Sequence, residues 1–296
     1  MSFPEVHTLL DRPMLLGECP LWDDERNSLY WIDIAGKAVH CFALAHSEHQ
    51  SWQVSSEPGC IALCTDGRLL VAMRSGIVFL DTSTGEVQPL MDAPYDPSLG
   101  RFNDGRCDSA GRLWVGSLYD PRDKPGGTLY CLNRGKLTDV GLPVTVSNGV
   151  AFSPDGATLY HADTSAHRIK AYPFDVAAGT IGEGRDFIAF SDVRSADYGG
   201  RPDGAAVDEE GAYWCAMYEG GRLLRIAPDG NILQEVTLPV RCPTMVAFGG
   251  SDMRTMFVTS VSNKRTEAEL SQFPLSGCVL ALRVPVPGRL ESRYIP

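Results

Sequence analysis

Several protein classes are excluded by what the 296-residue chain lacks. No stretch approaches the ~20 apolar residues that a membrane span needs, so a membrane partner is not expected. Residues Met1 to Arg12 carry Glu5, Asp11 and Arg12 where a secretory signal would have a basic start and an apolar run, which predicts a cytoplasmic protein. Positive charge is scarce. Lys and Arg number 26 against 37 Asp and Glu, and a formal charge of −11 repels phosphate backbones and anionic lipids. Nucleic acid is therefore not expected as a partner, and cations and neutral small molecules remain. The nine cysteines form no C-x-x-C pair, and the six histidines show neither H-x-H nor H-x-x-x-H spacing, so thiol and imidazole metal motifs are missing. Free buried thiols in a reducing cytosol are the expectation. G-x-S-x-G is absent, which removes the usual serine elbow. The Gly199-Gly200 and Gly220-Gly221 pairs precede no helix and do not read as a phosphate cradle.

What is present repeats. A turn rich in Asp, Gly, Arg or Asn followed by a short apolar or aromatic run occurs six times, as DDERNSLYWID, TDGRLLVAM, SAGRLWVGS, SPDGATLYHAD, EEGAYWCAM and SDMRTMFVTS. The first apolar residues after the turns are Leu29, Leu69, Leu113, Leu159, Tyr213 and Met256, spaced 40 to 54 residues apart. That is the period of propeller blades. Second runs such as SGIVFLD, GTLYCLN and GRLLRIAPDG are β-branched, aromatic or alternating, which is strand patterning. The expected fold is all-β: a single domain over 1–296, a six-bladed β-propeller with four-stranded antiparallel blades around a central channel. The extended segment before Gly17 should pair with the last blade and close the ring. Trp31, Trp114, Tyr160, Trp214 and Phe257 follow their anchors by one or two residues and are expected to be buried at equivalent positions of five blades.

In a propeller, the N-terminal ends of the innermost strands converge on the axis. Counting back ten or eleven residues from the anchors reaches Glu18, Gly59, Asn103, Asn148 and Asp203, and in the last repeat Met245 with Thr244 beside it. Asn-Gly and Asp-Gly pairs alone are ordinary turn formers, as are the Asp and Gly of TDGR, SPDG and APDG. Shared register across repeats is what argues for a site. Two carboxylates and two amides gathered in one tube require a counter-charge. One hard divalent cation bound through oxygen would supply it, drawn from Ca, Zn, Mn, Mg or Fe(II).

Four blocks, GECPLWD, RFNDGRCDSAGRLWVGS, SNGVAFSPDGATLYHADT and RPDGAAVDEEGAYW, carry a resemblance that runs from about Leu16 to Pro285. The sequence resembles the senescence marker protein (regucalcin), gluconolactonase and luciferin-regenerating enzyme family. The resemblance implies a six-bladed propeller with one divalent ion held by Glu18, Asn148 and Asp203. It also implies substrate contacts from Arg101 and Asn103 and proton transfer by Asp203. Where some animal members carry paired glutamates, this chain reads GSLYDPRD, which puts Tyr119 and Asp120 on the substrate-facing loop. The expected reaction is hydrolysis of a small sugar lactone, an aldonolactone such as glucono-, xylono-, arabino- or galactonolactone. A metal on the carbonyl oxygen would stabilise the tetrahedral oxyanion, and water would be deprotonated either by Asp203 or at the ion itself. An esterase or phosphotriesterase using the same site, and a non-catalytic calcium-binding or docking propeller, are the alternatives. The oligomeric expectation is a monomer or weak homo-oligomer.

Overall fold

The turn-and-run repeat builds one antiparallel meander per copy. In the first, Ser28–Asp33 pairs with Gly17–Asp23 on one side and Ala38–Ala43 on the other, and Glu48–Gln53 finishes the sheet. Burial falls outward along that order. Every residue of Gly17–Asp23 and Ser28–Asp33 is buried, whereas Glu48–Gln53 is mostly exposed, which is why its sequence, EHQSWQ, is polar. The computed structural model describes residues 5–195 and 197–296, so the expected domain of 1–296 includes residues 1–4 and 196 outside the described part.

Six such sheets form six blades, with inner strands Gly17–Asp23, Pro58–Leu63, Gly100–Cys107, Ser147–Phe152, Arg201–Val207 and Pro243–Gly249. Each inner strand packs against the inner strands of both neighbouring blades, and the sixth returns to the first. Val6–Leu10 pairs antiparallel with Val279–Arg283 and supplies the outermost strand of blade 6, as the extended N-terminal segment suggested. This closure leaves no long inner edge to aggregate. Blade 4 departs from four strands: Arg185–Ala189 and the two-residue Thr180–Ile181 both pair with Arg168–Asp175. That insertion accounts for the 54-residue spacing before Tyr213. Among the described residues the one α-helix is Glu267–Gln272, within blade 6, capped by Thr266. Among the described residues no helix is long and apolar enough to cross a membrane.

The five large aromatics are all buried: Trp31, Trp114 and Trp214 are fully enclosed, with Tyr160 and Phe257 nearly so. Their expected equivalence needs correction. Trp114, Trp214 and Phe257 do align, each pairing one residue before the last regular contact with the inner strand, at Arg106, Ala206 and Ala247. Tyr160 sits one residue further along, opposite Ala151, and Trp31 one further again, past the last regular pair, Leu21 with Tyr30. A shift of one residue turns a side chain to the other face of its sheet. Tyr160 accordingly packs with Tyr213, whereas Trp114 packs with Val150 and Leu159.

A register shift interrupts every inner strand at the same height: Glu18/Leu21, Pro58/Cys60, Phe102/Gly105, Asn148/Ala151, Pro202/Ala205 and Pro243/Val246. Bulges of this kind redirect side chains out of the ladder, here into the channel. The C-terminal segment crosses the far end of the channel. Gly288 bridges Asp208, the Tyr294 amide donates to the Leu63 carbonyl at 2.7 Å, and Ile295 donates to Gly111 at 2.9 Å.

Candidate active site at the open end of the channel

The bulge places the six counted positions in two ways. In blades 3, 5 and 6 the first residue past the last regular pair is Asn103, Asp203 or Thr244. In blades 1 and 4 that position belongs to Cys19 and Gly149, with φ of +48° and +57°, and the residue just before it, Glu18 or Asn148, lines the pocket. The eleven-residue count in those blades and the ten-residue count in blades 3 and 5 thus mark a real difference of backbone. Gly59 contributes no oxygen because a Cβ there would lie 2.1 Å from the Phe102 carbonyl oxygen. Thr244 is enclosed, donating to the Gly17 carbonyl at 2.6 Å.

Glu18, Arg101, Asn103, Asn148 and Asp203 line one pocket at the open end. Asp120 does not line it. Its carboxylate accepts from Arg74 Nη1 at 2.8 Å, and the pair is partly exposed on the outer loop. Tyr119 also lies off the pocket, under the Lys124 ammonium.

A hydrogen-bonded chain across three blades holds the amides. Arg101 Nη1 donates to Asn103 Oδ1 at 2.6 Å, and Asn103 Nδ2 donates to the Ser147 carbonyl at 2.7 Å and to Asn148 Oδ1 at 2.9 Å. Asn148 Nδ2 donates to Thr164 Oγ1, which donates in turn to the Pro202 carbonyl, both at 2.8 Å. Ser147 Oγ meets His161 Nε2 at 2.7 Å behind this chain, and burial lowers His161 to about 4, which keeps the ring neutral. Thr164, Ser147 and His161 were not singled out from the sequence, because SNG and HADT read as turn and strand. Only the pairing of neighbouring strands brings them behind the two amides.

The carboxylates are poorly satisfied. Glu18 accepts from the Cys19 amide at 3.1 Å, and Asp203 has no hydrogen bond from a side chain among the described residues. Burial, then the charges of Asp203 and Asp104, push Glu18 well above the usual carboxylate range. Burial and then Asp104 push Asp203 up to about 8, against the pull of Arg201, Arg101 and Arg122. Asp104 lies deeper, one oxygen accepting from the Val150 amide at 2.8 Å and the other buried without a partner. Among the described residues no three His, Cys, Asp or Glu side chains cluster as a metal site. The oxygen set is instead two carboxylates and an amide. Its chemistry fits a hard divalent cation, whose charge would relieve the repulsion between Glu18 and Asp203, and Asn148 Oδ1 keeps one lone pair beyond that used by Asn103.

Asp108 and Asp208, from the same sequence blocks, are fully engaged. Asp108 accepts from Trp114 Nε1 at 2.8 Å and Arg112 Nε at 2.6 Å, and Asp208 from Trp214 Nε1 at 3.0 Å and Arg225 Nε at 2.8 Å. These carboxylates tie turns to blades and leave nothing for a ligand.

Residues 16–262 match the model of the SMP-30/gluconolactonase/LRE-like region. A 6-deoxy-6-sulfogluconolactonase of Pseudomonas putida is 45% identical over 286 residues, 96% of each chain. A pentonolactonase of Haloferax volcanii is 31% identical over 97% of each. A crystal structure of a calcium-binding protein, regucalcin, from Agrobacterium tumefaciens superposes with a TM-score of 0.93 at 29% identity, covering 98% of this chain and 97% of that one. With its pocket, its propeller and these relatives, the chain belongs to the SMP-30/gluconolactonase/LRE-like family, the gluconolactonase type of sugar lactonase.

Proposed function

We propose that this protein is a divalent-metal-dependent hydrolase that opens a small aldonolactone to its sugar acid. The observation that carries this reading is the pair of under-satisfied buried carboxylates, Glu18 and Asp203, beside the Asn148 amide in an open pocket. Glu18, Asn148 and Asp203 would hold the ion. A bound divalent cation would polarise the lactone carbonyl and stabilise the oxyanion formed on water attack. Arg101 uses Nη1 on Phe102 and Asn103, so its remaining N–H groups are free to orient the lactone. Asn103, with both ends of its amide engaged, holds Arg101 and Asn148 in place. Asp203 takes the proton from the attacking water and returns it to the ring oxygen as the bond to the acyl carbon breaks.

The relative from Pseudomonas putida is named for a gluconolactone carrying a sulfonate at carbon 6, so that lactone belongs in the substrate class beside the glucono-, xylono-, arabino- and galactono- forms. Ca, Mg and Mn suit an all-oxygen donor set better than Zn. The protein acts in the cytoplasm, where its nine free thiols stay reduced. The test is acid release from this panel by metal-stripped protein, before and after each cation is restored. Activity should vanish on stripping and return with metal, and Glu18→Gln should need more metal for the same rate. Full activity in stripped protein would sink the reading.

A further inference from the structure

The mouth of the pocket carries a charge that a neutral sugar does not match. Three guanidiniums, Arg101, Arg122 and Arg201, line it with the two carboxylates Glu18 and Asp203. A bound divalent ion would add two further positive charges. This excess sits in a chain of net charge −11.

None of the three is well neutralised by the protein. Arg101 is buried with no carboxylate within 4 Å among the described residues. Arg122, exposed on the loop after Leu113–Tyr119, makes no side-chain hydrogen bond or ion pair among the described residues. Arg201 Nη2 stands 3.6 Å from Glu219 Oε2, but that carboxylate also serves Arg194 and Arg265, and Arg201 Nε is buried without a partner. The guanidinium lies 5.0 Å from the Tyr218 ring centre, within cation–π range. The charge of Asp120, which pairs with Arg74, acts on Arg101, so Arg122 and Arg201 are the two guanidiniums left for a ligand.

The direction of the inner strand says where this charge acts. Arg201–Val207 runs from the open end toward Asp208, which bridges to the C-terminal segment at the closed end. Arg201 is therefore nearer the mouth than Asp203. A lactone whose carbonyl lies at Asp203 directs its far carbon toward Arg201 and Arg122. Hydroxyl groups accept weakly from guanidinium, whereas a tetrahedral oxyanion takes paired, charge-assisted hydrogen bonds from it.

We propose that Arg122 and Arg201 form a subsite for a tetrahedral oxyanion, a sulfonate or a phosphate monoester, carried on the substrate carbon farthest from the lactone carbonyl. The proposal rests on the lactonase reading and narrows its substrate to an anionic aldonolactone. The experiment compares gluconolactone, its 6-deoxy-6-sulfonate and its 6-phosphate with metal-replete wild-type protein, Arg122→Gln, Arg201→Gln and Arg201→Lys. Wild type should favour at least one anionic lactone by about 100-fold in kcat/KM, mainly through KM, because both guanidiniums pair with the oxyanion while the neutral analogue leaves the buried Arg201 Nε unpaired. Each Arg→Gln change should cut that preference about tenfold, and Arg201→Lys should cut it less. Added salt should lower the preference as well. Which anion is preferred identifies the oxyanion, and either result supports the subsite. Equal use of neutral and anionic lactones, or a preference that survives both Arg→Gln changes, overturns the subsite and leaves the lactonase standing. No hydrolysis of these three or of the xylono-, arabino- and galactonolactones overturns the lactonase reading and the subsite with it, and hydrolysis of those neutral lactones alone overturns only the subsite.

Discussion

Arg101 and Arg106 leave the same inner strand, Gly100–Cys107, toward opposite ends of the channel and meet opposite surroundings. Arg106 donates through Nε to the Val150 carbonyl at 3.1 Å, through Nη2 to Ala205 at 2.7 Å, and through Nη1 to Glu291 on the C-terminal segment. Burial pulls its pKa down, but Glu291 outweighs this and the guanidinium ends above its ordinary value. Arg101 meets only a carbonyl and an amide oxygen, and burial lowers it to about 10. At the closed end each nitrogen of Arg106 has an acceptor, which is how buried charge is made compatible with stability. At the open end charges of both signs are left under-satisfied. A protein tolerates that where a ligand completes the set.

The largest effect should come from removing the group that moves the proton at the open end. Asp203→Asn keeps an oxygen for the ion but cannot accept a proton, so turnover at saturating metal should fall by about 10²- to 10⁴-fold. Near-normal turnover at full metal occupancy would show that water is activated without Asp203. At the closed end the matching change is Glu291→Gln, which leaves Arg106 buried without its counter-ion. We expect a loss of about 3 kcal/mol in unfolding free energy by denaturant titration, with lactonase turnover per folded molecule nearly unchanged. A large loss of turnover without loss of stability would erase the distinction between the two ends.

Acidity gives a third comparison. In metal-free protein Asp203 has a pKa of about 8, against about 3.9 in an unfolded chain. The native state then holds a proton that the unfolded state gives up. This contribution to stability is complete below about pH 4 and is lost as pH rises toward about 8. Glu18 is shifted in the same direction. Thermal midpoints of stripped protein should therefore decline between pH 5 and pH 8. A divalent ion competes with these protons, so its affinity should rise by up to about tenfold per pH unit for each carboxylate that must give one up in the same window. Metal affinity that is flat across it would mean that the carboxylates are already ionised without the ion.

The open end was more legible in the sequence than the closed one. A residue count shared by repeats located Glu18, Asn103, Asn148 and Asp203, because in those four blades the inner-strand bulge lies at the same distance from the first apolar residue after the turn. Asp120 was placed by local resemblance alone and lies outside the pocket, where Arg74 holds its carboxylate. The C-terminal segment has no repeat to align with, so Glu291 gave no signal. Net charge pointed toward cations and neutral ligands, yet three arginines gather at the mouth, because a sum over the chain carries no information about where each charge lies. Tyr160 shows the limit of counting from turns: one added residue leaves burial intact and reverses the face, whereas Trp31, two residues along, keeps the face of Leu29.

The smallest expected effect tests whether the open end depends on support from behind the pocket. Thr164 Oγ1 accepts from Asn148 Nδ2 and donates to the Pro202 carbonyl, linking an amide of blade 4 to the strand that carries Asp203. Thr164→Val preserves volume and removes both bonds. The Asn148 amide then loses one of the two contacts that orient it, which loosens the hold on its Oδ1. Groups that orient metal ligands usually account for about 10- to 100-fold in metal affinity, and with the Asn103 bond still holding Asn148 we expect the lower figure. Metal titration followed by the rise in thermal midpoint measures it, and saturating metal should restore most of the turnover. If affinity is unchanged while turnover drops, Asn148 is not a ligand, and the link through Thr164 serves to place Asp203.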